Sequence, residues 1–147
     1  MTQIYDLSRF VRAHRHAYER ALSEIRNGHK QSHWMWYIFP QLKGLGISDM
    51  SQYYGIADLD EAKAYLAHPY LGAHMEEICR ALLALDSSDP RQVMGPPDDM
   101  KLRSSMTLFA QATEDNALYL AVLDKFFRGQ PDRRTLNLIS ASGTPDP

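Results

Sequence analysis

Cysteine is nearly absent. Cys79 is the only one in 147 residues, so no disulfide can form within the chain, and a metal site would have to be built without a set of thiolates. That scarcity fits a reducing cytoplasm. Valine and isoleucine are sparse, and no stretch alternates apolar and polar residues for long enough to make a half-buried strand. No run approaches the length of a membrane span, and the start, MTQIYDLSRFVRAHRH, lacks the apolar centre of a signal peptide, so a cytoplasmic chain with no membrane contact is expected. An excess of one charge is missing too. With 18 acidic and 16 basic residues the formal charge is -2, which gives no global reason to bind nucleic acid. The phosphate-loop spacing GxxxxGK[ST] and the dinucleotide fingerprint GxGxxG are both absent, as is any repeat at a fixed period.

What is present is helical spacing. The length suits one domain that buries about two-thirds of its unfolded surface. Asp6 can cap a helix over 7–27 in which Leu7, Phe10, Val11, Tyr18, Leu22 and Ile25 recur on one face and Gly28 ends the run. Its arginines, Arg9, Arg12, Arg15, Arg20 and Arg26, spread around the circumference and read as a solvated surface. Ser48 can cap a short helix ending near Gly55, and Asp58 with Glu61 reads as a capping box for a helix through Ala67. Pro69 suits the first turn of the next helix, and Pro90 that of a short one inside the loop SSDPRQVMGPPDD. Asp98 or Asp99, Asp115 and Asp132 can cap three more, the middle one stopping at Gly129. The expectation is an all-α single domain over 5–140, irregular and compact, with about seven helices and no significant sheet, followed by a disordered tail at 141–147.

Two stretches carry candidate chemistry. SHWMWYIFPQLKGLG, residues 32–46, gathers both tryptophans with Tyr37 and Phe39, has no clean period, and loses a backbone donor at Pro40, which suits a buried short helix or turn. Trp36, Ile38 and Phe39 are most economically core, whereas His33, Trp34 and Lys43 suit a cleft edge where an indole stacks and an imidazole acts as acid, base or anion partner. The second stretch is DDMKLRSSM, residues 98–106. Lys101, Ser104 and Ser105 share one side of a helix start with Arg103 about 100° away, so a cation, hydroxyls and free amides could hold an anion there. The ordinary alternative is a solvated helix start. His14 and His16 point apart on their helix, and His68 and His74 have no carboxylate at a ligating spacing, so no metal and no cofactor are expected.

The chain also resembles an uncharacterised, mainly bacterial family catalogued as domain of unknown function 1810, whose members sometimes carry the label calpastatin. The resemblance rests on SHWMWYIFPQLKGLG, on YYGIADLDEAKAYLAHPYLGAHM at 53–75, on MKLRSSMTLF at 100–109 and on VLDKFFRGQPDRRTL at 122–136. It implies a multihelical fold and no known activity, and it implies that His33, Lys43, Lys101, Arg103, Ser104 and Ser105 do more than fill a surface. Residues and resemblance together point to a pocket in which His33, as acid or base, and Trp34 face Lys101, Arg103, Ser104 and Ser105 around a small anionic ligand, a nucleotide or phosphorylated metabolite. Two alternatives stay open: a non-catalytic domain that binds a protein partner or a second copy of itself, and a hydrolase acting on a nucleotide-derived substrate. Monomer and homodimer are both compatible with the sequence.

Overall fold

The computed structural model describes residues 5–143. Among them the chain forms nine helices and no strand, α1 (Ser8–Arg26), α2 (Met35–Ile38), α3 (Asp49–Tyr53), α4 (Leu59–Ala67), α5 (Pro69–Ala84), α6 (Pro90–Val93), α7 (Asp98–Ala112), α8 (Ala117–Phe127) and α9 (Arg133–Gly143). Six are long, and the one-turn pieces α2, α3 and α6 carry the count past about seven. Of the tail expected at 141–147, residues 141–143 continue α9 and 144–147 lie outside the described residues.

Local signals in the sequence set most ends. Asp6 Oδ1 accepts from the Ser8 amide at 3.0 Å, and Gly28, at φ 79°, closes α1 with its amide on the Ile25 carbonyl and that of His29 on Glu24. Asp58 accepts from the Glu61 amide at 2.8 Å while Glu61 turns back to the Ala57 amide at 2.7 Å, a capping box displaced by one residue. Between α4 and α5 the chain reverses at His68-Pro69. A Cβ on Gly72 would lie 2.2 Å from the Leu66 carbonyl oxygen, so only glycine permits that corner.

α7 is the central element. Its residues 104–110 are all buried, and it packs on α4, α6, α8 and α9 while α1 lies against α5 and α2. Phe10, Tyr65 and Phe109 meet in the middle, ring centroids 5.2 and 5.3 Å apart, with Leu71, Met75, Ile78 and Leu102 around them. Residues 43–55, including α3, leave this body as one excursion tied at its base by the Leu42–Ile56 bridge. Arg9 belongs to the inside of the fold rather than to a solvated face: it reaches Glu61 at 3.2 Å and the carbonyls of Tyr53 and Gly55, fixing α1 to α4 and to the end of the excursion.

Candidate functional site

The aromatic stretch divides differently from its expected partition. Trp34, expected at a cleft edge, is 1% exposed, and its indole N–H donates to Glu24 Oε1 at 2.8 Å. Glu24, ten residues earlier on α1, also accepts from the amides of Gln31 and Ser32 at 2.8 and 2.9 Å and from the Ser32 hydroxyl. Burial alone would raise its carboxyl, but these donors outweigh burial and hold it down at about 2. A buried indole needs such an acceptor, which is why Trp34 is core. Trp36, expected as core, is half-buried instead, with the Lys101 ammonium 5.7 Å from its ring centroid. His33 is exposed, and its carbonyl accepts from the Tyr37 hydroxyl at 3.2 Å.

The start of α7 does lie against this stretch, through Asp98. Its carboxylate pairs with Lys30 at 2.7 Å and Lys101 at 3.7 Å, and Lys30 sits 4.9 Å from the Trp34 ring. The space left between Trp36, Gln41, Tyr54 and Lys101 is only about 10 Å³, room for at most one water and not for a ligand. Ser104 and Ser105 are buried: Ser104 Oγ donates back to the Met100 carbonyl at 3.2 Å, and Ser105 Oγ has no hydrogen-bond partner among the described residues. Both serines thus lie in the packed body of α7, and Ser104's hydroxyl is spent within its own helix.

Arg103 points elsewhere, toward the connection between α8 and α9. Its Nε–H donates to the Gln130 carbonyl at 2.9 Å and its guanidinium stands 5.9 Å from the Phe127 ring. There it joins Arg133 and Arg134 around a hollow of about 420 Å³. The one acidic residue lining it, Asp132, is committed to capping α9: its Oδ2 accepts from the Thr135 amide at 2.9 Å and hydroxyl at 2.5 Å, while its own amide donates to Thr107 Oγ1 at 2.8 Å. Among the described residues no carboxylate pairs with any of the three arginines. Arg134 also donates to the Leu45 carbonyl at 3.3 Å, which ties the Lys43-Gly44-Leu45 turn to the start of α9. The turn bearing the exposed Lys43 is thus tied to Arg134, which lines the same hollow as Arg103, while His33 does not line it.

One polar assembly was invisible to sequence reasoning. His14 and His74, 60 residues apart, face each other across α1 and α5 with their Nδ1 atoms 2.9 Å apart. His14 Nε2 is 2.9 Å from the Tyr37 carbonyl, which can only accept, so Nε2 carries the proton and the bare His14 Nδ1 accepts from His74 Nδ1–H. Tyr65 donates to the same carbonyl at 3.3 Å; Tyr18 stacks on His74 with centroids 3.5 Å apart and donates to Glu77 at 2.6 Å. Burial pushes His14 down to about 4, and burial lowers His74 as well, so both rings are neutral near pH 7. No sequence spacing marks such a pair, because its members sit on separate helices. Among the described residues no group of three or more His, Cys, Asp or Glu side chains could hold a metal ion, and no helix is long and apolar enough to cross a membrane.

Comparison with known proteins adds kinship without an activity. Residues 4–139 match the family described as "Protein of unknown function (DUF1810)". Among solved structures, the crystal structure of the conserved hypothetical protein Rv1873 from Mycobacterium tuberculosis is similar at 46% identity and a TM-score of 0.91, covering 92% of this chain and 97% of that one. No curated protein matches.

Proposed function

The chain belongs to the DUF1810 family of proteins of unknown function, and on that premise, which carries a fold and no chemistry, we propose that it binds a small phosphate-bearing anion between Arg103, Arg133 and Arg134. The observation that supports this reading is that three arginines, unpaired with carboxylates among the described residues, line one hollow of about 420 Å³. Arg103 uses its Nε–H on Gln130, so its terminal nitrogens remain for a ligand, and the planar fork of arginine matches two phosphate oxygens at once. The volume falls within the roughly 300–1,000 Å³ of small-molecule sites and suits a sugar phosphate or a nucleotide.

Binding fits better than turnover. A hydrolase needs a base within about 3 Å of the attacking water, and the hollow has no histidine, while its one carboxylate is occupied by Thr135. His33 does not line it. A screen of thermal midpoints against phosphate, pyrophosphate, sugar phosphates and nucleotides tests the reading. A ligand at about 100 times its dissociation constant adds about 2.7 kcal/mol, a shift of roughly 5–10 °C for a chain of this size. Arg103→Ala and Arg133→Ala should abolish the shift; if no anion raises the wild-type midpoint, the reading fails.

A second reading, contact with a protein partner or another copy, has one observation in its favour: Ile47 is 92% exposed, with Met50 and Tyr53 also exposed on the same excursion. Sedimentation of the wild type and of Ile47→Ser over a range of concentrations separates a self-associating chain from a monomer.

A further inference from the structure

A cleft of about 710 Å³ runs between the α4–α5 corner and the start of α8. Two neutral donors belong to residues that line it, His68 and Tyr119. His68 Nδ1 accepts from the amides of Tyr70 and Leu71 at 3.2 and 3.3 Å, capping α5, so the proton of the neutral ring sits on Nε2, for which the described residues offer no partner. Tyr119 is only 7% exposed yet lines the cleft, and its hydroxyl has no hydrogen-bond partner among the described residues. That hydroxyl still reaches solvent, so it is an accessible donor at the cleft wall. Glu76 and Asp115 lie close enough to raise the phenol electrostatically, after burial has raised it further, so it stays a donor.

The charges on the cleft differ from those of the arginine hollow. Arg80 is paired with Glu76 at 2.8 Å, which leaves Asp115 as a carboxylate without an ion pair among the described residues. Two neutral donors ask for an acceptor oxygen, and a lone carboxylate asks for a cation. We propose that this cleft is a second ligand site, taking a small molecule with an ammonium group beside a carbonyl, as in an aminoacyl amide: the carbonyl oxygen accepts from His68 Nε2–H and Tyr119 O–H, and the ammonium pairs with Asp115. The floor of Leu66, Gly72, Ala73 and Leu118 leaves space for a small apolar side chain. An anion is disfavoured here, which separates this site from the arginine hollow.

Titration of isotope-labelled protein with L-alaninamide, followed by the His68 and Tyr119 ring resonances, tests the assignment. The shifts should saturate with alaninamide; N-acetyl-alaninamide, which lacks the ammonium, should bind at least about tenfold more weakly, and inorganic phosphate should leave them unmoved. Tyr119→Phe, which keeps the buried ring, should weaken binding about fivefold, as expected for one neutral hydrogen bond, and the exposed Asp115→Asn about tenfold. His68→Asn, which can still cap α5, should weaken it comparably. Arg103→Ala should leave the alaninamide titration as it is while removing the anion-induced rise in midpoint, so this proposal and the anion site stand or fall separately. Absence of saturable shifts with alaninamide overturns the proposal, as does undiminished affinity in Tyr119→Phe and Asp115→Asn.

Discussion

The His14–His74 pair makes stability fall with acid in a window where few other groups titrate. His14 is 2% exposed, and burial moves its pKa from 6.5 to about 4, with the Tyr37 carbonyl opposing burial only in part. As pH falls below about 6.5 the unfolded chain takes up a proton at this position while the native state does not, so stability is complete above that pH and is lost as pH approaches 4. At about 1.4 kcal/mol for each pH unit between the two values, His14 alone removes about 3 kcal/mol by pH 4. His74, also lowered and in direct contact, acts in the same direction. The matching variant is His14→Gln, whose amide can still donate to the Tyr37 carbonyl but cannot titrate. Urea unfolding at intervals from pH 7.5 to 4 should give a wild-type curve that drops by about 3 kcal/mol more than that of the variant, since Glu24 and the other carboxylates contribute equally to both. Parallel curves would show that His14 is protonated in the native state, and would refute the reasoning.

Three further outcomes follow from the packing. Glu24→Ala leaves the Trp34 indole and two amides without their acceptor and should cost about 3 kcal/mol in urea unfolding, whereas Ser32→Ala, which removes one of several donors, should cost about 1 kcal/mol. Gly72→Ala sets a methyl against the Leu66 carbonyl and should cost more than about 2 kcal/mol, read from the thermal midpoint, although alanine is ordinarily the better helix former. Cys79 is fully buried and its thiol is pushed up by burial, so a thiol reagent should label it only as fast as the chain unfolds.

Local chemistry was legible in the sequence and contacts between distant segments were not. Asp58, Pro69, Pro90, Asp132 and Gly28 mark helix ends through bonds to residues at most a few positions away, and each acts where its residue type predicts. The exchange of roles between Trp34 and Trp36 could not be read that way, because what buries Trp34 is a carboxylate on α1 and what keeps Trp36 half open is an ammonium on α7. Basic residues show the same limit. Lys101 turned to Trp36 and Asp98, Arg103 to Gln130, and Arg9 went inward to Glu61, none of which follows from spacing along one helix. Arg133 and Arg134 stand inside one of the strings that carry the family resemblance, yet two arginines after an aspartate read as an ordinary helix start.

The most direct test of the central claim is calorimetric titration of pyrophosphate into the wild type and the Arg103→Ala/Arg133→Ala double variant at low salt, with far-ultraviolet dichroism confirming that both are folded. Saturable heat in the wild type, weakened by added salt and absent in the double variant, is the predicted result. Equal binding by both proteins would contradict it.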